Sequence, residues 1–156
     1  MRILPILLFT LSVVEGLALP AHAEPGGPKG LGVGLTLGSP TGITGKYFLT
    51  NVHAIDAAIG ADDDPDFYVD YLWHGWQAFA QPREGKLAAI LGVGGRVESK
   101  RHEDKIGIRG VVGAAYYFKD FPVEVTFEVA PVLNFIGGGA DLDAGLTLRY
   151  YFIRFN

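Results

Sequence analysis

Apolar and polar residues alternate from residue 30 onward, in blocks of about ten residues separated by turn-forming pairs such as Ser39-Pro40. A period of two is typical of β-strands, because successive side chains of a strand point to opposite faces. The alternation predicts eight strands, at 30–38, 41–50, 52–60, 67–75, 86–98, 105–118, 122–134 and 141–154. Strands that follow one another through short turns favour an all-β fold, an antiparallel up-and-down barrel.

The two faces of these strands differ in charge. One face carries the apolar letters, such as Leu31, Val33 and Leu35 in the first strand, and bears no formal charge. The other face carries Gly, Ala and Thr together with four basic and six acidic residues, which are Lys46, Asp56, Asp70, Arg96, Glu98, Arg109, Glu124, Glu128, Asp143 and Arg149. Alternation alone leaves two barrels open, since a soluble lipocalin-like barrel hides its apolar face and a transmembrane barrel presents that face to lipid.

The make-up of the charged face favours the transmembrane barrel. A water-exposed face is expected to be rich in Lys, Glu, Ser and Thr, whereas small residues around scattered charges suit a crowded interior. The interior of an eight-stranded barrel is only wide enough to hold side chains. Charges there must pair, because an isolated buried charge is costly, and Arg109 is expected to pair with Glu124 or Glu128 on the adjacent strand. The ten residues are therefore predicted to form an interior polar network that plugs the barrel, with a narrow ion or proton path as the alternative.

Aromatic residues gather where the even-numbered predicted strands end. In an up-and-down barrel those ends share one rim, and rings at one level form the interfacial girdle of a membrane barrel. The predicted girdle consists of Tyr47, Trp73, Trp76, Tyr116, Phe118, Tyr150 and Phe152. This rim is expected to face the periplasm, which places the turns at 39–40, 61–66, 99–104 and 135–140 outside the cell.

The amino terminus is typical of an export signal. Arg2 precedes an apolar run from Ile3 to Val14, and Ala21-His22-Ala23 predicts cleavage before Glu24. The run is too short for a spanning helix, which needs about 20 residues. The predicted organisation is a cleaved signal at 1–23, a flexible lead-in at 24–29 and an eight-stranded barrel at 30–156. Together with the barrel, the signal predicts the outer membrane of a Gram-negative cell.

Composition excludes several other classes of protein. The 156 residues suit a single domain, and the absence of cysteine rules out disulfides and thiolate metal sites. The formal net charge of -4 and the scattered positions of the 13 Lys and Arg residues argue against a nucleic-acid surface.

Six short motifs lie along the chain after the signal. They are Leu31-Gly-Val-Gly, Gly38-Ser-Pro-Thr-Gly, Tyr71-Leu-Trp-His, Leu91-Gly-Val-Gly-Gly-Arg, Phe127-Glu-Val-Ala-Pro and Gly145-Leu-Thr-Leu-Arg-Tyr-Tyr-Phe. They resemble a family of small, uncharacterised bacterial outer-membrane β-barrel proteins, similar in architecture to the OmpA transmembrane domain and OmpX. The resemblance implies two partners, outer-membrane lipid and the barrel-assembly machinery that reads the terminal strand. Phe152 and Phe155 are both candidates for the aromatic of that signal, since the chain continues with 153–156. The family implies no catalytic residues.

Candidate chemistry is sparse. Lipid-modifying enzymes with eight-stranded barrels use a serine and a histidine, and here Ser99 and His102, with Glu98 or Glu103, form the one conceivable set. A polar hairpin explains these residues equally well. The acidic segment at 62–66 lacks the Gly and distal Glu of a calcium loop and is interpreted as a solvated turn. We therefore expect no enzyme activity, cofactor or metal, and a structural or surface-interaction role for which the sequence identifies no extracellular ligand. A narrow channel and a soluble periplasmic lipocalin-like carrier are the alternatives.

Overall fold

The structure is a computed structural model that describes residues 28–61 and 63–152. The predicted export signal, the first part of the lead-in and the chain end at 153–156 lie outside the described residues. Eight strands follow one another, and their bounds are β1 Gly30–Gly38, β2 Gly42–Phe48, β3 His53–Gly60, β4 Asp66–Gly75, β5 Gly85–Lys100, β6 Glu103–Phe118, β7 Val123–Ile136 and β8 Ala140–Tyr151. In this part of the chain, no helix is long and apolar enough to cross a membrane.

The eight strands close into a barrel. Each strand pairs antiparallel with the next one in the chain, and β8 returns to pair with β1 from Gly32↔Tyr151 to Gly38↔Gly145. This arrangement confirms the predicted eight-stranded antiparallel up-and-down barrel. We call the end where β2, β4, β6 and β8 finish the lower end, and the opposite end the upper end.

The predicted strands agree with the observed ones except near their ends. The largest difference is the β5–β6 hairpin, whose pairing continues past Glu98↔Lys105 to Lys100↔Glu103. The polar letters at 99–104 were predicted to be a turn. Residues 99, 100, 103 and 104 extend the ladder instead and the turn narrows to Arg101 and His102, because backbone pairing tolerates polar side chains where both faces of a hairpin meet water.

The alternation decides which side chains enter the barrel. Lys46, Asp56 and Glu124 point inward and are 0% exposed, whereas Leu35 and Ile43 point outward and are 63% and 62% exposed. The same division holds in all eight strands. This barrel is therefore apolar outside and holds its charges inside, beside a buried apolar cluster that includes Leu72, Ile90 and Val111, and buried charge under an apolar surface is the inverse of a water-soluble protein.

Candidate functional site

The lower half of the charged interior is built around Glu124 on β7. Its Oε1 lies 3.0 Å from Lys46 Nζ and 2.9 Å from Arg149 Nη1. The hydroxyls of Thr126 and Tyr151 also donate hydrogen bonds to this carboxylate. Two cations and two hydroxyls thus compensate one fully buried carboxylate, as a buried charge requires.

Arg149 connects Glu124 to the opposite wall of the barrel. Its Nη2 lies 2.7 Å from Asp56 Oδ1 on β3 and donates to Thr44 Oγ1 on β2 at 2.8 Å. Two basic and two acidic side chains, Lys46, Arg149, Asp56 and Glu124, therefore balance one another across the interior.

The upper half of the interior is organised by Arg109 on β6. Its Nε lies 3.1 Å from Asp70 Oδ2, its Nη1 3.2 Å from Asp143 Oδ2 and its Nη2 3.5 Å from Glu128 Oε1. The guanidinium carbon also lies 3.9 Å from the centre of the Tyr68 ring, a cation–π distance. Arg109 contacts Glu128, one of its two expected partners. The other expected partner, Glu124, pairs with Lys46 and Arg149 instead.

Arg96 on β5 joins this half to the upper rim. Its Nη1 lies 2.8 Å from Asp143 Oδ1, and its Nη2 lies 2.8 Å from Asp66 Oδ2 and 3.3 Å from Glu98 Oε2. Glu98 in turn contacts Lys100 Nζ at 2.8 Å. Asp143 is shared by Arg96 and Arg109, so the upper ion pairs form one connected chain.

The structure brings all ten sequence-derived interior residues into these two ion-pair groups, with Glu98 at the rim. Sequence reasoning missed Asp66, which it assigned to a solvated acidic turn. Asp66 precedes Tyr68 by two residues, so strand parity alone places it on the inner face. Among the described residues, no group of three or more His, Cys, Asp or Glu side chains is placed to hold a metal ion.

Aromatic side chains close the lower end of the interior. Phe48, His74, Trp76, Tyr117 and Tyr151 are buried there, and Trp76 stacks on His74 with ring centres 5.8 Å apart. The indole Nε1 of Trp76 donates to Asn51 O at 2.8 Å.

Trp76 therefore does not belong to the outer girdle, and its prediction was wrong. Trp76 follows the inward residue His74 by two positions, so strand parity places its side chain on the inner face, opposite to that of the outward Trp73. Gln81 donates to Trp76 O at 2.6 Å and holds the segment that turns the indole under the barrel.

The other predicted girdle residues face outward near the lower end, and all but half-buried Tyr116 are exposed. They are Tyr47, Trp73, Tyr116, Phe118, Tyr150 and Phe152. Neighbouring rings pack edge to face, with centres 4.9 Å apart for Tyr116 and Phe118 and 5.0 Å for Tyr150 and Phe152.

Interior glycines leave space for these charged and aromatic groups. A Cβ on Gly94 would lie 2.1 Å from Asp70 Oδ1 and 2.2 Å from Val69 O, and one on Gly32 would lie 2.7 Å from the Tyr151 ring. No real Cβ fits at such distances. The absence of a Cβ at each glycine therefore leaves the space that a side chain of the neighbouring strand occupies.

A polar crevice opens toward the upper end, between Thr36, Tyr68, Glu128 and Asp143, and encloses no space large enough for a water molecule. Two members of the conceivable catalytic set have other partners. Ser99 Oγ donates instead to Asp104 Oδ1 at 2.6 Å, and Glu98 is paired with Arg96 and Lys100.

Comparison with known proteins finds no matching family model, no matching curated protein and no matching solved structure. The resemblance to small outer-membrane barrels therefore stays a prediction from the sequence motifs.

Proposed function

We propose that this protein is a non-enzymatic integral β-barrel of the bacterial outer membrane, with a structural or surface-interaction role and an interior closed by ion pairs. The observation that carries the proposal is the inverted distribution of polarity around the closed barrel. Charged side chains such as Lys46 and Asp56 are 0% exposed, while outward Leu142 is 70% exposed.

Such a surface is unfavourable in water. Buried apolar area is worth roughly 25 cal/mol per Å², so a barrel that exposes its apolar face on every strand gains nothing from that face until something apolar covers it. Lipid is the medium that covers a whole circumference, and closed barrels satisfy all strand hydrogen bonds inside a bilayer. The outward aromatic residues at the lower end suit the boundary between hydrocarbon and headgroups.

The filled interior supports a barrel plugged by ion pairs rather than a ligand carrier. A lipocalin-like carrier needs an apolar cavity for its ligand, whereas the middle of this barrel holds the Glu124 and Arg109 ion-pair groups. We further propose that the predicted export signal directs the chain to the periplasm and that the barrel-assembly machinery inserts it into the outer membrane.

Membrane fractionation combined with one substitution tests the proposal. Leu146 on β8 faces outward in the middle of its strand and is 50% exposed, and an arginine near the midplane of a bilayer costs roughly 2 to 4 kcal/mol. Leu146→Arg is expected to reduce the refolded fraction in lipid vesicles, and the wild-type protein to sediment with the outer membrane.

Phe121→Arg is the matched control, because Phe121 is 64% exposed in the turn below β6 and lies outside the strands. It should refold like the wild type. Recovery of the wild-type protein in the soluble periplasm, or equal stability of Leu146→Arg and wild type in vesicles, would contradict the membrane location.

A further inference from the structure

The strands of the barrel fall into a short set and a long set. β1 to β4 contain 9, 7, 8 and 10 residues, whereas β5 to β8 contain 16, 16, 14 and 12. Because neighbouring strands in sequence are neighbours in space, the short strands form one side of the barrel and the long strands form the other.

The outward apolar surface follows the same division. On β1 it extends from Leu31 to Leu37, which is about 15 Å along the barrel axis for strands tilted by about 40°. On β6 it extends from Phe118 to Ile106, which is about 30 Å by the same rise and tilt. Both runs start at the lower end, so the difference lies entirely at the upper end.

Different groups stand above the two sides. On the short side the apolar runs stop at polar turns that include Ser39 and, between β3 and β4, the acidic Asp63 and Asp64. On the long side the outward positions stay apolar close to the upper rim, where Leu133 and Leu142 are 69% and 70% exposed. At the seam, the β1–β8 ladder ends at Gly38↔Gly145 and Ser39 N donates to Ala144 O at 3.0 Å, so β8 from Ala140 to Asp143 extends above the end of β1.

A membrane barrel ordinarily presents an apolar band of about 25 Å. The long side meets that height, and the short side falls well below it. A flat bilayer in register with the long side would press hydrocarbon against Ser39, Asp63 and Asp64. Bilayers respond to a short apolar face by thinning at a modest elastic cost per ångström, whereas carboxylates in hydrocarbon are expensive.

We propose that this barrel holds a bilayer of graded thickness, compressed beside β1 to β3 and of ordinary thickness beside β5 to β8. The inference rests on the proposed membrane location and names the lipid surface that each side fits. Lipid rather than a second copy of the chain is the occupant of the short side, because the acidic turn directly above Ile59 suits hydrated headgroups and not an apolar protein contact.

Spin labels on two matched outward positions test this gradient. The chain has no cysteine, so Ile43→Cys on β2 and Val112→Cys on β6 each provide a single attachment point. Ile43 and Val112 are matched in exposure, at 62% and 59%. They are also matched in height, because each lies six residues above an apolar residue at the lower end, Leu49 for Ile43 and Phe118 for Val112. The full-length mature protein is reconstituted in dioleoylphosphatidylcholine vesicles, and collisions of each label with oxygen and with a water-soluble nickel complex are measured.

The expected result is a several-fold higher ratio of nickel to oxygen collisions at Ile43 than at Val112, because only the Ile43 label reaches the headgroup level. Equal, oxygen-dominated ratios would mean a flat bilayer and would overturn the gradient while leaving the membrane location intact. Nickel-dominated collisions at both labels would overturn the membrane location itself. An Ile43 label shielded from both reagents would mean a protein contact and would also overturn the gradient. If either variant fails to fold, Leu37→Cys and Val93→Cys form a second pair on β1 and β5.

Discussion

One guanidinium nitrogen of Arg149 contacts both carboxylate oxygens of Asp56, at 2.7 Å and 2.8 Å, although β8 and β3 are separated in the barrel by β1 and β2. The contact crosses the interior rather than running along the wall. It therefore ties together strands that the backbone ladder does not join.

Removal of Arg149 should be strongly destabilising. Arg149→Met leaves Asp56 and Glu124 buried with too little positive charge, and breaking a buried pair in this way costs about 3 to 5 kcal/mol. Urea-induced unfolding of the protein refolded in lipid vesicles measures the loss, and adding Asp56→Asn should restore part of it. Lys105→Met is the control, because the 3.5 Å contact of Lys105 with Asp141 is part exposed and worth about 1 kcal/mol or less. Equal losses in the two single variants would contradict the role of the buried pair.

Arg109 should be coupled to Asp70, Asp143 and Glu128 and not to Glu124. Double-mutant cycles with Arg109→Met and the amide variant of each acid separate these partners, since residues in contact show interaction energies of roughly 0.5 to 3 kcal/mol. The cycle with Glu124→Gln is expected to give about zero, because that carboxylate pairs with Lys46 and Arg149. Coupling to Glu124 as strong as the coupling to Asp70 would refute this division of the interior into two groups.

Gly94→Ala should destabilise the barrel, and the same change at the next residue should not. The new methyl at Gly94 would collide with Asp70 and with Val69 O, and overpacking of this kind costs on the order of 1 to 3 kcal/mol. At Gly95, which faces outward, the nearest atom to an added Cβ is Gly107 O at 3.8 Å. Heat- or urea-induced unfolding of both variants in the same lipid provides the comparison. A Gly94→Ala barrel as stable as the Gly95→Ala barrel would show that the interior is looser than these distances imply.

The purified protein should show no stable, uniform conductance in a planar bilayer. Ion pairs occupy the middle and upper interior, and the aromatic group around Trp76 closes the lower end. Trp76→Ala removes one ring of the lower closure and leaves the ion pairs in place, so it should remain silent as well. Reproducible single-channel steps that require the protein, and whose ion selectivity changes in Arg96→Glu, would establish the alternative of a narrow channel.

Strand alternation carried most of what the sequence revealed about the fold. The number of strands, their order and the face on which each side chain lies follow from a period of two, and Lys46, Asp56 and Arg149 lie on the face that this period assigns to them. The same period places Trp76 inward, two residues after the inward His74, so its assignment to the girdle beside the outward Trp73 went against the alternation. The hydrogen bonds from Trp76 to Asn51 O and from Gln81 to Trp76 O fix where the ring lies, and the pattern does not contain them.

The pairing of charges was decided by tertiary structure alone. Parity placed Arg109 and Glu124 on one face, on strands that are adjacent, yet they are not partners. Strand tilt and stagger set the height of every inward side chain along the barrel axis, and a narrow interior brings together residues of equal height from opposite walls. Arg149 meets Asp56 because of that geometry, which a pattern along one strand at a time does not encode.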